Sequence, residues 1–288
     1  MKLKNHLILI TALTLLSPNI SYAGLMVAPH RVDFDESVNS KEIYLINNGD
    51  ETATYRISLQ HLRMDENGIY KEIKDDKNNG QLEEKFADDL ILYSPKKVTL
   101  EPKASQTVRL LVKTPNNLPD GEYRSHILFK EEAPADFGNN IEEANKKNKK
   151  KAISVVLKPL FAVSIPVIVK HGKLNSESSI EELKIVKDAN KNQLLSVKIA
   201  RSGNESVYGD IVVTLTNDKF KTPKEIGAIN GVSVFYPYKS RLVSVPIKLP
   251  ENAKLHGKVE VRFYAKSNDD KQSSNLNKIL SRKILEIE

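Results

Sequence analysis

Along most of the chain, apolar and polar side chains alternate one for one. Residues 52–59 (TATYRISL) place Ala53, Tyr55, Ile57 and Leu59 on one parity and Thr54, Arg56 and Ser58 on the other. A period of two marks a strand with one buried face. Short runs of the same kind stand at 41–47, 90–93, 97–100, 106–112 and 122–130. Turn chemistry separates them: Asn48-Gly49-Asp50, the 65–68 stretch Asp-Glu-Asn-Gly, Ser94-Pro95, the 102–105 stretch Pro-Lys-Ala-Ser, and the 118–121 stretch Leu-Pro-Asp-Gly. Short strands at this spacing predict a β sandwich of immunoglobulin type.

Two stretches depart from that rhythm. Residues 131–151 carry acidic pairs, then Lys146, Lys147, Lys149, Lys150 and Lys151, with little apolar content, and are expected to form a long loop. After it, Ile153, Val155, Leu157, Phe161, Val163, Ile165, Val167 and Val169 share one parity. This pattern predicts one strand over 152–169, about 18 residues and ~60 Å if fully extended. Pro159 and Pro166 lack a backbone donor, which assigns the strand to a sheet edge. A long, apolar, alternating edge invites another strand to pair with it. His171-Gly172 ends it as a hinge. Beyond lie candidate strands at 180–188, 193–202, 206–217, 233–235, 242–249, 257–265 and 279–287, with Asn230-Gly231 read as a turn, and these predict a second sandwich.

The start of the chain indicates a compartment. Lys2 and Lys4 precede an apolar run at 7–16, and Ser21-Tyr22-Ala23 ends in small residues, the pattern of a secretory signal peptide over 1–23. The run is short for a membrane span, so no stable membrane insertion is expected. The domains then read as 24–170 and 173–288. The length of 288 residues suits two domains. With 40% hydrophobic residues the chain is too apolar to be disordered. It has no Cys, which excludes disulfides, thiolate metal sites and cysteine nucleophiles.

Little in the sequence points to catalysis. The histidines at 30, 61, 126, 171 and 256 are scattered, with no partner at ligand spacing on one strand face. Ser125 and His126 are adjacent, so on a strand they face opposite sides. The pairs Asp75-Asp76 and Asp88-Asp89 read as solvated loop charges. The formal charge is +7, from 44 Lys+Arg against 37 Asp+Glu. The lysine cluster at 146–151 lies beside Glu142 and Glu143 and lacks interleaved aromatic residues, which argues against nucleic acid. No enzyme activity, cofactor or metal is expected.

Several segments together resemble the PapD-like periplasmic chaperones of pilus and fimbrial assembly. They are 25–36 (LMVAPHRVDFDE), with an Arg before a Val as in the family's first strand, 43–54 (IYLINNGDETAT), 92–112 (LYSPKKVTLEPKASQTVRLLV) and Glu122-Tyr123-Arg124, followed by a long loop and a long alternating strand. The resemblance implies an all-β chain of two immunoglobulin-like β-sandwich domains in an L-shaped (boomerang) arrangement. It implies a periplasmic, non-enzymatic chaperone that caps pilus or fimbrial subunits by donor-strand complementation and delivers them to an outer-membrane usher. In that scheme Ile153, Val155 and Leu157 are the donor strand, while Val163, Ile165 and Val167 pack in the chain's own core. Arg31 and Lys158 would hold the subunit's C-terminal carboxylate, although Pro159 intrudes beside Lys158. When free, the protein could cap itself as a dimer. The absence of Cys departs from the long-loop members of the family, which commonly carry a disulfide. A secreted immunoglobulin-like adhesion or surface-binding protein is the alternative reading; it would bind a surface ligand by itself. A secreted hydrolase would need a nucleophile or metal constellation.

Overall fold

The computed structural model describes residues 24–73, 84–134, 159–250, 253–266 and 278–288. Among these residues it is all-β apart from a 3-10 turn at Asp88–Leu90, and forms two sandwiches in chain order.

The first sandwich uses β1 (Leu25–Ala28), β2 (Val32–Phe34), β3 (Ser40–Asn47), β4 (Ala53–Gln60), β7 (Ile91–Ser94), β8 (Lys97–Leu100), β9 (Ser105–Val112), β10 (Gly121–Glu131) and β11 (Ala162–His171). One sheet has the order β1-β3-β9-β7 and the other β2-β11-β10-β4-β8. The chain changes sheets at Pro29, between β1 and β2, and at Pro95, between β7 and β8. Proline suits both points because it has no donor to lend to a ladder. The alternating residues of both sheets meet in one core. Ile43, Leu45, Val108, Leu110, Ile127 and Phe129 are fully buried there, and Ile165, Val167 and Val169 join them with Val163 packed at the margin. A small two-stranded ribbon, β5 (Leu62–Met64) with β6 (Tyr70–Glu72), projects from this sandwich. Its turn is the 65–68 segment read from the sequence: Asp65 accepts from Asn67, Gly68 and Ile69 amides, and Gly68 takes φ +83°.

The second sandwich pairs β12 (Ser176–Lys187), β13 (Gln193–Gly203) and β16 (Ser240–Pro246) against β15 (Lys224–Val234), β14 (Val207–Thr216), β17 (Gly257–Ala265) and β18 (Ile279–Ile287), in the orders β12-β13-β16 and β15-β14-β17-β18. Gly172, at φ +72°, stands between the two units.

Two sequence expectations change. Asn230-Gly231 is a bulge inside β15 rather than a turn. The register jumps from Gly209↔Val232 to Ile211↔Ile229, and Gly231 N donates to Asp210 Oδ1 at 2.7 Å. Gly at positive φ serves a bulge as well as a hairpin turn, and alternation cannot tell the two apart. The long strand over 152–169 is described only from Pro159, and Pro159, Leu160 and Phe161 are not in a strand. Ile153, Val155, Leu157 and Lys158 lie outside the described residues, as do the 1–23 segment, Asp75-Asp76 and the lysine cluster.

Candidate functional site

Strand β11 is bonded on one side along its whole length, from Lys130↔Ala162 to Gly121↔His171. On its other side β2 joins, in parallel, only at Val167–Val169. Among the described residues, 162–166 therefore present an unpaired edge, and Pro166 sits where that edge ends. Across the gap stands β1, the terminal strand of the other sheet. The opening between them is lined by Gly24, Leu25, Met26, Val27, His30, Asn48 and Val163. Met26, Leu160 and Phe161 are all exposed, and Phe161 continues the parity of the core past the end of the ladder. Beyond Ala162 the chain stays beside β10: Glu131 N donates to Phe161 O at 2.9 Å. Phe161 and Pro159 then line a second opening with Tyr55, Glu131 and the β3–β4 turn, at the end of the sandwich away from Gly172.

At the other end of the same sheet the two sandwiches meet. Arg31 occupies the crossover between β1 and β2 and is buried, with 5% exposure. Its Nε donates to both oxygens of Asp33 at 2.9 Å, and its Nη1 donates to Ser233 Oγ of the second sandwich at 3.0 Å. Its guanidinium lies 4.5 Å from the Tyr208 ring centre and 5.8 Å from that of Phe235. Burial works against its charge, but Asp33, with help from Glu122, more than offsets this and holds its pKa above the ordinary arginine value.

Two further arginines converge on the same segment. Arg124, on β10, stacks on Phe235 at 4.2 Å and donates to Tyr236 O and to Glu84 Oε1. Arg241, on β16, donates through Nη1 to Ser233 O at 2.9 Å. Burial lowers the pKa of both; Glu122 and Glu84 oppose it at Arg124, while at Arg241 only Tyr70 does so. Phe235, Met64 and Ile168 form a buried apolar cluster beneath them. His126 fills the remaining space. Its ring meets Tyr70 edge-on at 5.2 Å, and neither nitrogen has a protein partner. Burial first, then Arg124 and Arg31, push its pKa down to about 3.

Polar bonds tie the sandwiches together here. Glu122 is buried and accepts from Ser206 N at 2.8 Å and from Ser206 Oγ, which itself accepts from Tyr236 N. Lys170 pairs with Glu205 at 2.8 Å. The β5–β6 turn reaches over as well: Glu66 O accepts from Leu242 N, and Glu66 Oε1 from Ser240 Oγ.

The structure thus places Arg31 in the junction between the sandwiches. Lys158 lies outside the described residues, and its neighbour Pro159 lines the opposite end of the sandwich. Val32 pairs with Val167, eight residues after Pro159, a span of ~26 Å along an extended chain. Arg241 and Tyr70 were not singled out in the sequence; Arg124 stood there only within the 122–130 run and its resembling segment Glu122-Tyr123-Arg124, and Phe235 only as the end of a candidate strand. The histidine–acid–serine contacts that do form are not those of a nucleophile. His61 Nε2 meets Asp88 Oδ1 at 2.9 Å, Ser125 Oγ reaches the same oxygen at 3.4 Å, and Ser125 is fully buried.

No family model and no curated protein matches the chain. Solved structures similar to it include the chaperone–tip adhesin complex of CFA/I fimbriae, at 15% identity and TM-score 0.42, covering 92% of this chain and 99% of that one. The YadV chaperone is similar at 12% identity and TM-score 0.42, covering 91% and 99%. The Pseudomonas aeruginosa CupB2 chaperone is similar at 11% identity and TM-score 0.41, covering 91% and 98%. At this level of overlap the likeness carries no weight for function, which rests on the chain's own strand edge and junction.

Proposed function

We propose that this protein is a periplasmic chaperone for pilus or fimbrial subunits, acting by strand donation and passing its cargo to an outer-membrane usher. One observation carries the reading: β11 keeps the outer edge of 162–166 unpaired beside terminal strand β1, in line with the apolar alternation of 153–157. An incomplete subunit sandwich would pair its main chain with this edge. Ile153, Val155 and Leu157 would fill its open groove, while Arg31 binds its carboxylate. Each buried side chain contributes roughly 1.5–3 kcal/mol. Main-chain bonds add affinity with little demand on sequence. The sum shields an aggregating subunit yet leaves it releasable.

The test is coexpression with a strand-deficient fibre subunit. A soluble 1:1 complex is expected on size exclusion, lost on Val155→Asp with the melting curve of the chaperone retained, and weakened on Arg31→Ala, which also removes the buried bonds to Asp33 and Ser233 and lowers the melting temperature. A subunit that stays insoluble with the wild type, or a complex indifferent to Val155→Asp, overturns the reading; binding to a surface glycan by the chaperone alone would favour an adhesin.

A further inference from the structure

We propose that the edge of β18 in the second sandwich is an interaction surface for a second copy of this chain, the two strands pairing antiparallel about Ile284. The proposal does not rest on the chaperone reading.

β18 (Ile279–Ile287) closes the sheet β15-β14-β17-β18, and among the described residues its ladder runs to β17 alone. Its polar contacts with β12 come from side chains: Ser281 Oγ meets Ser178 Oγ at 3.2 Å, and Lys283 Nζ donates to Glu181 O. The far side of the strand is therefore without a ladder. An unpaired edge of this length is a template for another strand. Other terminal strands of this sandwich are less regular. β12 shifts register between Ile180 and Glu182, and β15 shifts twice, whereas β18 runs in step with β17 from Ser281 to Ile287.

Three exposed residues specify which strand fits. Arg282, Ile284 and Glu286 share the exposed parity, Ile284 with 43% exposure, while Leu285 and Ile287 pack on the core. Charges on an edge ordinarily keep other strands off. In β18 the two charges are opposite in sign and stand symmetrically about an apolar residue. A two-fold axis through Ile284 makes an isologous pair, in which Arg282 of each copy faces Glu286 of the other and Ile284 faces itself. Moving the centre by one residue sets Ile284 against Arg282 or Glu286. Moving it by two sets Arg282 or Glu286 against its own copy. The register centred on Ile284 alone matches all three residues, and it uses the chain from Leu280 to Glu288.

Arg282 has no such match within its own chain. Across the ladder it faces Arg262, whose guanidinium is already paired with Glu260 at 2.8 Å. Like charges directly opposite one another in a sheet are unfavourable, so a carboxylate arriving on the free side of Arg282 relieves the pair. Joining the copies makes one continuous sheet from two four-stranded ones. Main-chain bonds supply the affinity, and the Arg–Glu crossings set the register. A contact of one strand edge is small, so the dimer is reversible and its Kd lies in the micromolar range.

Sedimentation equilibrium of the purified protein, up to about 100 μM, reads the association. The wild type is expected to dimerise. Arg282→Glu and Glu286→Arg each turn both crossings from attraction to repulsion, and each should weaken the dimer about thirtyfold. All of the altered side chains are exposed, so the melting curves should not move. Mixed one to one, the two variants meet with opposite charges at both crossings, and they should associate with each other as the wild type does with itself. A protein that stays monomeric, a dimer indifferent to either variant, or variants that do not recover on mixing overturns the proposal. So does a dimer lost on Val155→Asp but kept by Arg282→Glu, which would belong to the first sandwich.

Discussion

Protonation of His126 should set the acid limit of this protein. The ring is 2% exposed on β10, opposite Pro166 of β11 and Gln60 of β4. Around it stand Arg124 on its own strand, Arg31 from the β1–β2 crossover, and the rings of Tyr70 and Phe235. No carboxylate contributes to its titration. Its folded pKa is depressed to about 3 from an unfolded value of about 6.5. The unfolded chain therefore takes up the proton first, so stability is fully present above pH 6.5 and falls as the pH drops toward 3. With 1.36 kcal/mol per unit, the loss is about 2 kcal/mol at pH 5 and on the order of 4–5 kcal/mol at pH 3. The perturbation is His126→Leu, similar in volume and without a charge to acquire. Urea melts of both proteins at pH 7.5, 6, 5 and 4 give the difference, and the carboxylates common to both cancel in it. The wild type should lose about 2 kcal/mol more than the variant between pH 7.5 and 5. Parallel slopes in the two proteins would refute the placement of a neutral, desolvated ring at the junction.

Other expectations concern the same junction and the strand edge. Glu122→Ala strips the buried carboxylate from Ser206 and leaves Arg124 with Glu84 alone; a loss of roughly 3–5 kcal/mol is expected, with one calorimetric transition in the wild type and two in the variant as the sandwiches uncouple. Gly68→Ala places a side chain at φ +83° and against Arg241, so the ribbon turn should lift, at about 1–2 kcal/mol, with faster amide exchange at Leu242, whose N–H is bonded to Glu66 O. Unchanged exchange at Leu242 would mean that the turn tolerates the collision. For the complex itself, Val155→Asp and Arg31→Ala should act separately, the first abolishing capture and the second weakening it.

How much of this was legible beforehand depends on what kind of partner each residue has. In 53–59 and 106–112 the apolar parity named the buried face, because one face of each strand looks at its own core. Asp65 to Gly68 were readable as a turn because the Asp side chain and the positive φ of Gly act within five residues. Of Val163, Ile165 and Val167, expected in the core, the last two are buried and Val163 packs at the margin. Of Lys224–Val234 only Ser233 and Val234 were read as strand: β15 is broken by its bulge and carries Lys, Glu and Gly, so its alternation is interrupted. Arg31 was found through resemblance, not through periodicity, and the structure gives it a partner 202 residues away.

Sequence alone determined the class of structure: period-two patterning and local turn chemistry dictate strands and their inward faces, and a chain with two such series must close two cores. It could not determine which polar faces would be covered. Glu122, Arg124 and His126 form the alternate parity of β10, facing away from Ile127 and Phe129, and in isolation they read as a solvated face. Docking of the second sandwich through Ser206, Ser233 and Phe235 buries all three. That burial turns a row of surface charges into a desolvated cluster with a depressed histidine and an arginine paired to Glu84. Desolvation and ion pairing are set by residues distant in the chain but adjacent in space, so only the tertiary structure decided them.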